Sequence, residues 1–108
     1  MTGHIMIISA DDDVTVRERA EPPPLKELQE IVGGPIESVP HLTTIWLKER
    51  PWQAVAFCNE EGKLNKDLPI NLAATKLWHE NVPQMRGRDV LCGPVVVLWG
   101  DKSLMDAL

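Results

Sequence analysis

Two stretches decide the fold: Gln53-Ala54-Val55-Ala56-Phe57-Cys58 in mid-chain and Val95-Val96-Val97-Leu98-Trp99 further on. Each is a nearly continuous apolar run rather than an alternating one. That is the pattern of a strand covered on both faces. Around them, His4–Ser9 reads as a strand through Ile5, Met6, Ile7 and Ile8, broken by the turn-forming Asp11, Asp12 and Asp13. Val14–Glu18 alternates and completes an opening hairpin. Pro22, Pro23 and Pro24 lead into a helix whose apolar face is Leu25, Leu28, Ile31 and Val32, and Gly33-Gly34 ends it.

Pro35–Val39 and Thr43–Lys48 read as further strands, the second rich in β-branched and aromatic residues, with Glu49-Arg50-Pro51 as the turn into Gln53–Cys58. Asn59-Glu60-Glu61-Gly62 has the composition of a tight turn with glycine at a positive-φ position. Asp67 to Pro69 introduces a second helix over Pro69–Glu80, with Ile70, Ala73, Ala74, Leu77 and Trp78 facing inward. Asn81–Arg88 is a polar loop. Val90–Trp99 is the last strand, interrupted at Gly93-Pro94, and the tail from Asp101 forms a short helical turn or frays.

The order β-β-α-β-β-β-α-β predicts an α+β two-layer sandwich over residues 1–108, with its core at about 4–100. Its sheet would be mixed and mainly antiparallel, with both helices on one face. A homodimer across the open face is then one way to cover the remaining apolar surface.

The chain has 108 residues, 44% of them apolar and 25% charged, which suits a globular domain rather than a disordered one. Four Trp stand beside one Phe and no Tyr, so Trp46, Trp52, Trp78 and Trp99 are expected to fill most of the large core volume. No apolar run reaches the length of a membrane span, and the N-terminal residues lack a signal-peptide pattern. Cys58 and Cys92 sit alone among apolar neighbours, so a reducing, cytoplasmic location is expected.

Net charge is −5 and the basic residues are scattered, with small groups at Lys48–Arg50 and Arg86–Arg88. That weighs against a phosphate-backbone binder.

Asn59-Glu60-Glu61-Gly62-Lys63-Leu64, Leu68-Pro69-Ile70-Asn71 and Ala73-Ala74-Thr75-Lys76-Leu77-Trp78 together resemble a family of small proteins encoded by bacteriophages, plasmids and bacterial chromosomes. Pro24–Gly34, Ile36-Glu37 and the valine-rich Gly93–Gly100 extend the resemblance over most of the chain. Arg50-Pro51-Trp52 and Asn81–Arg88 depart from the usual spacing. The family is a domain of unknown function. It implies a mobile-element context, cytosolic expression and an accessory role, and it transfers no catalytic residue.

Chemistry-bearing motifs are sparse. Among His4, His41, His79 and the cysteines, no pair has metal-ligand spacing, so no metal or cofactor is expected. Neither a nucleophile elbow nor a phosphate-binding glycine loop is present. Asn59, Glu60 and Glu61 read first as a turn and second as an acidic contact. Asn71 reads first as a helix cap and second as a ligand contact.

Trp46 and Trp52 flank a turn and read as core and rim packing, or as a stacking platform. The leading expectation is a non-enzymatic module that binds another protein or itself. A nucleic-acid-associated factor using Arg86, Arg88 and the tryptophans is the alternative, and a small enzyme is the third reading.

Overall fold

The computed structural model describes residues 2–62, 64 and 68–108. Strands β1 (Gly3–Ile8) and β2 (Val14–Arg19) form the opening hairpin, followed by helix α1 (Leu25–Val32). Strands β3 (Ile36–Ser38), β4 (Thr44–Leu47) and β5 (Arg50–Asn59) come next. Helix α2 (Leu72–Asn81), a 3₁₀ turn (Pro83–Met85), strand β6 (Val95–Gly100) and helix α3 (Lys102–Asp106) complete the order. Among the described residues, no helix is long and apolar enough to cross a membrane.

The expected α+β class holds, and the sheet order is β2-β1-β6-β5-β3, with β4 also on β5. Every strand pair is antiparallel, so the sheet is not mixed. β3 and β4 are two pieces of one edge strand. Ser38 pairs with Phe57 and Thr44 with Gln53. Between them the Val39 N–H donates to Ala56 O, and the Ala54 N–H donates to Thr43 O, across an excursion in which His41 has φ 63°.

The expectation of both helices on one face is corrected. Residues facing each other across β1, β6 and β5 share a face, and the two faces pack against different helices. Ile5, Val96 and Leu98 pack with Leu28 and Val32 of α1. Met6, Ile8, Ala56, Cys58, Val95 and Val97 pack with Ala74 and Trp78 of α2. The physical reason lies in the strand order. Only β2–α1–β3 joins parallel strands, so only that connection is subject to the right-handed crossover rule. β5 and β6 are antiparallel neighbours, so the α2 connection carries no such constraint. β6 is therefore buried along its whole length within one chain, whereas Val55 and Phe57 of β5 stay half-buried. No whole face of the sheet is left without a helix.

Several boundaries also shift. The β4–β5 turn is Lys48-Glu49, with φ of 51° and 63°, rather than Glu49–Pro51. Pro51 lies inside β5 opposite Trp46, whose N–H points away to Asn81 Oδ1 at 3.1 Å. That pair exchanges no ladder bond, so the missing proline N–H costs nothing. Helix α2 starts at Leu72, leaving Ile70 outside it and exposed in a single bridge to Cys92. β2 is exposed along most of its length rather than half-covered. Trp78 and Trp99 are core residues, whereas Trp46 is 63% exposed.

Candidate functional site

Helix α2 crosses only part of its face of the sheet. Its ten residues span roughly 15 Å. Its N-cap is anchored to Ile8 and Gly93, and its last turn reaches β4 through Asn81. Beyond it, the same face continues as an open trough of about 420 Å³ lined by His4, Val16, Leu47, Lys48, Arg50, Trp52 and Trp99. Strand register builds it. His4 sits between Glu18 of β2 and Trp99 of β6, Trp99 faces Ala54, and Trp52 follows two residues before Ala54 on the same side of β5.

Two π stacks line this trough. The His4 ring lies on Trp99 with centroids 5.2 Å apart and planes 12° from parallel. The Arg50 guanidinium sits 3.7 Å above the Trp52 ring, within cation–π range. His4 Nδ1 is shielded from solvent and has no hydrogen-bond partner among the described residues. Lys48 and Arg50 are the formal charges on the wall, and among the described residues neither has a carboxylate at ion-pair distance. The walls are otherwise apolar. Such a surface holds a ligand by burial, stacking and charge.

The residues singled out from sequence are dispersed. Asn59 is buried at the end of β5. Its side-chain N–H donates to Val32 O at 3.2 Å, and its Oδ1 accepts from the Glu61 N–H at 2.8 Å. Asn59 thus ties the end of α1 to the sheet while shaping the turn. Gly62 closes that turn without a positive φ, contrary to expectation. Crowding favours glycine there: a Cβ would lie 3.1 Å from Asn59 O and 3.2 Å from Cys92 O, so these backbone oxygens would have to give by a few tenths of an ångström. Glu60 and Glu61 are exposed, and Lys63, Asn65, Lys66 and Asp67 lie outside the described residues.

Asn71 is fully buried, which removes it from any contact surface. Its Oδ1 accepts from the Ala74 N–H at 3.0 Å, and its amide donates to Ile8 O and Gly93 O, both at 2.9 Å. Trp46 and Trp52 lie on opposite faces of the β4–β5 hairpin, so they form no shared platform. Arg86 and Arg88 are exposed after the 3₁₀ turn, with Arg86 Nε donating to His79 O at 3.2 Å. They do not line the trough.

A second, smaller cavity of about 70 Å³ brings Cys58 and Cys92 onto one wall with Glu37 and Asp89. Cys58 Sγ stands 3.8 Å from both Glu37 O and Glu37 Oε1. Among the described residues, no cluster of three or more His, Cys, Asp and Glu is arranged to hold a metal ion.

Sequence reasoning missed His4, Val16, Leu47, Lys48 and Trp99 as one surface. Trp99 was visible only as a core residue and His4 only as an isolated imidazole. Their juxtaposition depends on β1 pairing with β6, the first strand with the last.

The family model described as Domain of unknown function (DUF3846) matches residues 1–106. The chain belongs to the DUF3846 family. Comparison of this DUF3846 chain with curated proteins and with solved structures found no match.

Proposed function

We propose that this DUF3846 chain is a non-enzymatic interaction module whose binding surface is the trough between β2 and the β4–β5 hairpin. One observation carries the reading: an open, aromatic-lined concavity on a face whose other half is sealed by α2. Exposed apolar concavities of this kind mark contact sites for other molecules. A protein partner suits the broad apolar walls. On this reading the protein is an accessory factor of a phage or plasmid, acting in the cytoplasm. The resemblance of its Asn59–Leu64 and Leu68–Trp78 segments supports that origin, and the thiols at Cys58 and Cys92 support a reducing compartment. The second reading, contact with nucleic acid, draws on exposed Arg86 and Arg88. Trp46 and Trp52, on opposite faces of their hairpin, offer it no shared aromatic platform.

The test is affinity capture from nuclease-treated host lysate with two variants. Val16→Arg places a charge in the trough from a side chain that is 52% exposed, so the fold is preserved. Trp46→Ser alters the opposite face. A host protein retained by the wild type and by Trp46→Ser, but lost with Val16→Arg, is the expected result. Retention that ignores Val16→Arg would remove the trough from the mechanism.

A further inference from the structure

Resting on that reading, we infer that the trough takes an acidic apolar peptide segment: one aromatic or long aliphatic side chain flanked by carboxylates. Charge complementarity carries the choice of occupant. The chain has a net charge of −5, yet the formal charges on the trough wall are both cationic, Lys48 and Arg50.

They stand on either side of Glu49 at the hairpin tip, and neither is neutralised by a carboxylate among the described residues. Arg50 is held over Trp52, which aligns a cation with the edge of an apolar floor. An apolar side chain entering between Trp52, Trp99 and Val16 brings its backbone neighbours to that rim. Carboxylates there meet the cations, in the manner of acidic-motif recognition by basic residues.

A nucleic-acid strand fits less well. Its phosphates need a track of cations along the groove. The trough offers two at one end, and Arg86 and Arg88 are not on its wall. A small molecule fits less well too, because the lining lacks several convergent polar groups to fix its orientation.

The four tryptophans supply the assay. Trp52 and Trp99 line the trough. Trp78 is buried with its indole N–H donating to Pro40 O, and Trp46 is exposed on the other face. Their indole N–H signals in a ¹⁵N-labelled sample therefore separate trough binding from any other contact. The probe is a random-peptide display library panned on the whole chain, followed by titration of a synthetic copy of the most enriched peptide.

We expect enriched peptides to pair Phe, Trp, Leu or Ile with neighbouring Asp or Glu. They should shift Trp52 and Trp99 while leaving Trp46 and Trp78 in place. The exposed double variant Lys48→Glu/Arg50→Glu should bind such a peptide about tenfold more weakly.

Enriched peptides that are basic or uncharged, yet shift Trp52 and Trp99, would overturn the acidic chemistry and leave the interaction surface standing. Affinity unmoved by the double variant would do the same. Shifts at Trp52 and Trp99 from a single-stranded oligonucleotide, with no peptide enriched, would replace the peptide by nucleic acid. Silence of both signals towards peptides, oligonucleotide and increasing protein concentration would overturn the trough as a binding surface altogether.

Discussion

Replacing Asn71 by alanine should cost about 3 kcal/mol, far more than a surface helix cap. The side chain is fully buried and makes three hydrogen bonds to backbone groups: the Ala74 N–H, Ile8 O and Gly93 O. At roughly 1 kcal/mol net for each bond, with one buried donor and two buried acceptors losing this partner, the sum is about 3 kcal/mol. For a domain of this size that corresponds to a fall in Tm of roughly 12–24 °C.

Urea unfolding followed by tryptophan fluorescence, paired with a thermal melt by circular dichroism, measures both. Asn71→Asp sharpens the test. It keeps the acceptor for Ala74 but turns a carboxylate towards two carbonyl oxygens. That raises the carboxyl's folded pKa above its unfolded value. Its stability is therefore greatest at low pH and is lost as pH rises through the folded pKa. The aspartate variant should recover on acidification, and the alanine variant should not. A loss of only about 1 kcal/mol for Asn71→Ala, the worth of a helix cap alone, would refute the view that this amide joins α2 to β1 and to the segment before β6.

Other outcomes follow from the same packing. Gly100→Ala should destabilise by about 1–3 kcal/mol in chemical denaturation, because its Cβ would lie 2.6 Å from the Gly3 Cα and from Thr2 O, backbone atoms that cannot swing aside. Glu49→Gly should raise stability by roughly 1 kcal/mol, since the turn holds a non-glycine residue at φ 63°. The Asp101 carboxyl is held below its ordinary value of 3.8 by the Leu104 N–H, the Ser103 hydroxyl and the Thr2 N–H. A depressed folded pKa gives stability that is present above the unfolded value and lost as pH falls through the folded one. Melting curves across the acid range should therefore show a shallower acid limb for Asp101→Asn than for the wild type.

Much of the candidate site's framework was legible, but not the site. The cap at Asn71 and the stop at Gly33, with φ 80°, are local events. Residue type within a turn of helix decides them. The trough is not local. His4 and Trp99 are far apart in the chain and meet because β1 pairs with β6. Trp46 and Trp52 look equivalent on either side of a turn, yet strand alternation sends them to opposite faces once the turn is fixed at Lys48-Glu49. A shift in the turn changes which face each meets.

The sequence by itself determined the elements, their order, the α+β class and the double burial of Val95–Trp99. Hydrophobic periodicity, capping and turn chemistry are written within a few residues of one another. Only the tertiary structure decided that α1 and α2 lie on opposite faces, that β6 separates β1 from β5, and that α2 stops short of His4, Trp52 and Trp99. Strand partners and helix faces are selected by packing between distant segments, and a local pattern leaves several such arrangements equally satisfied.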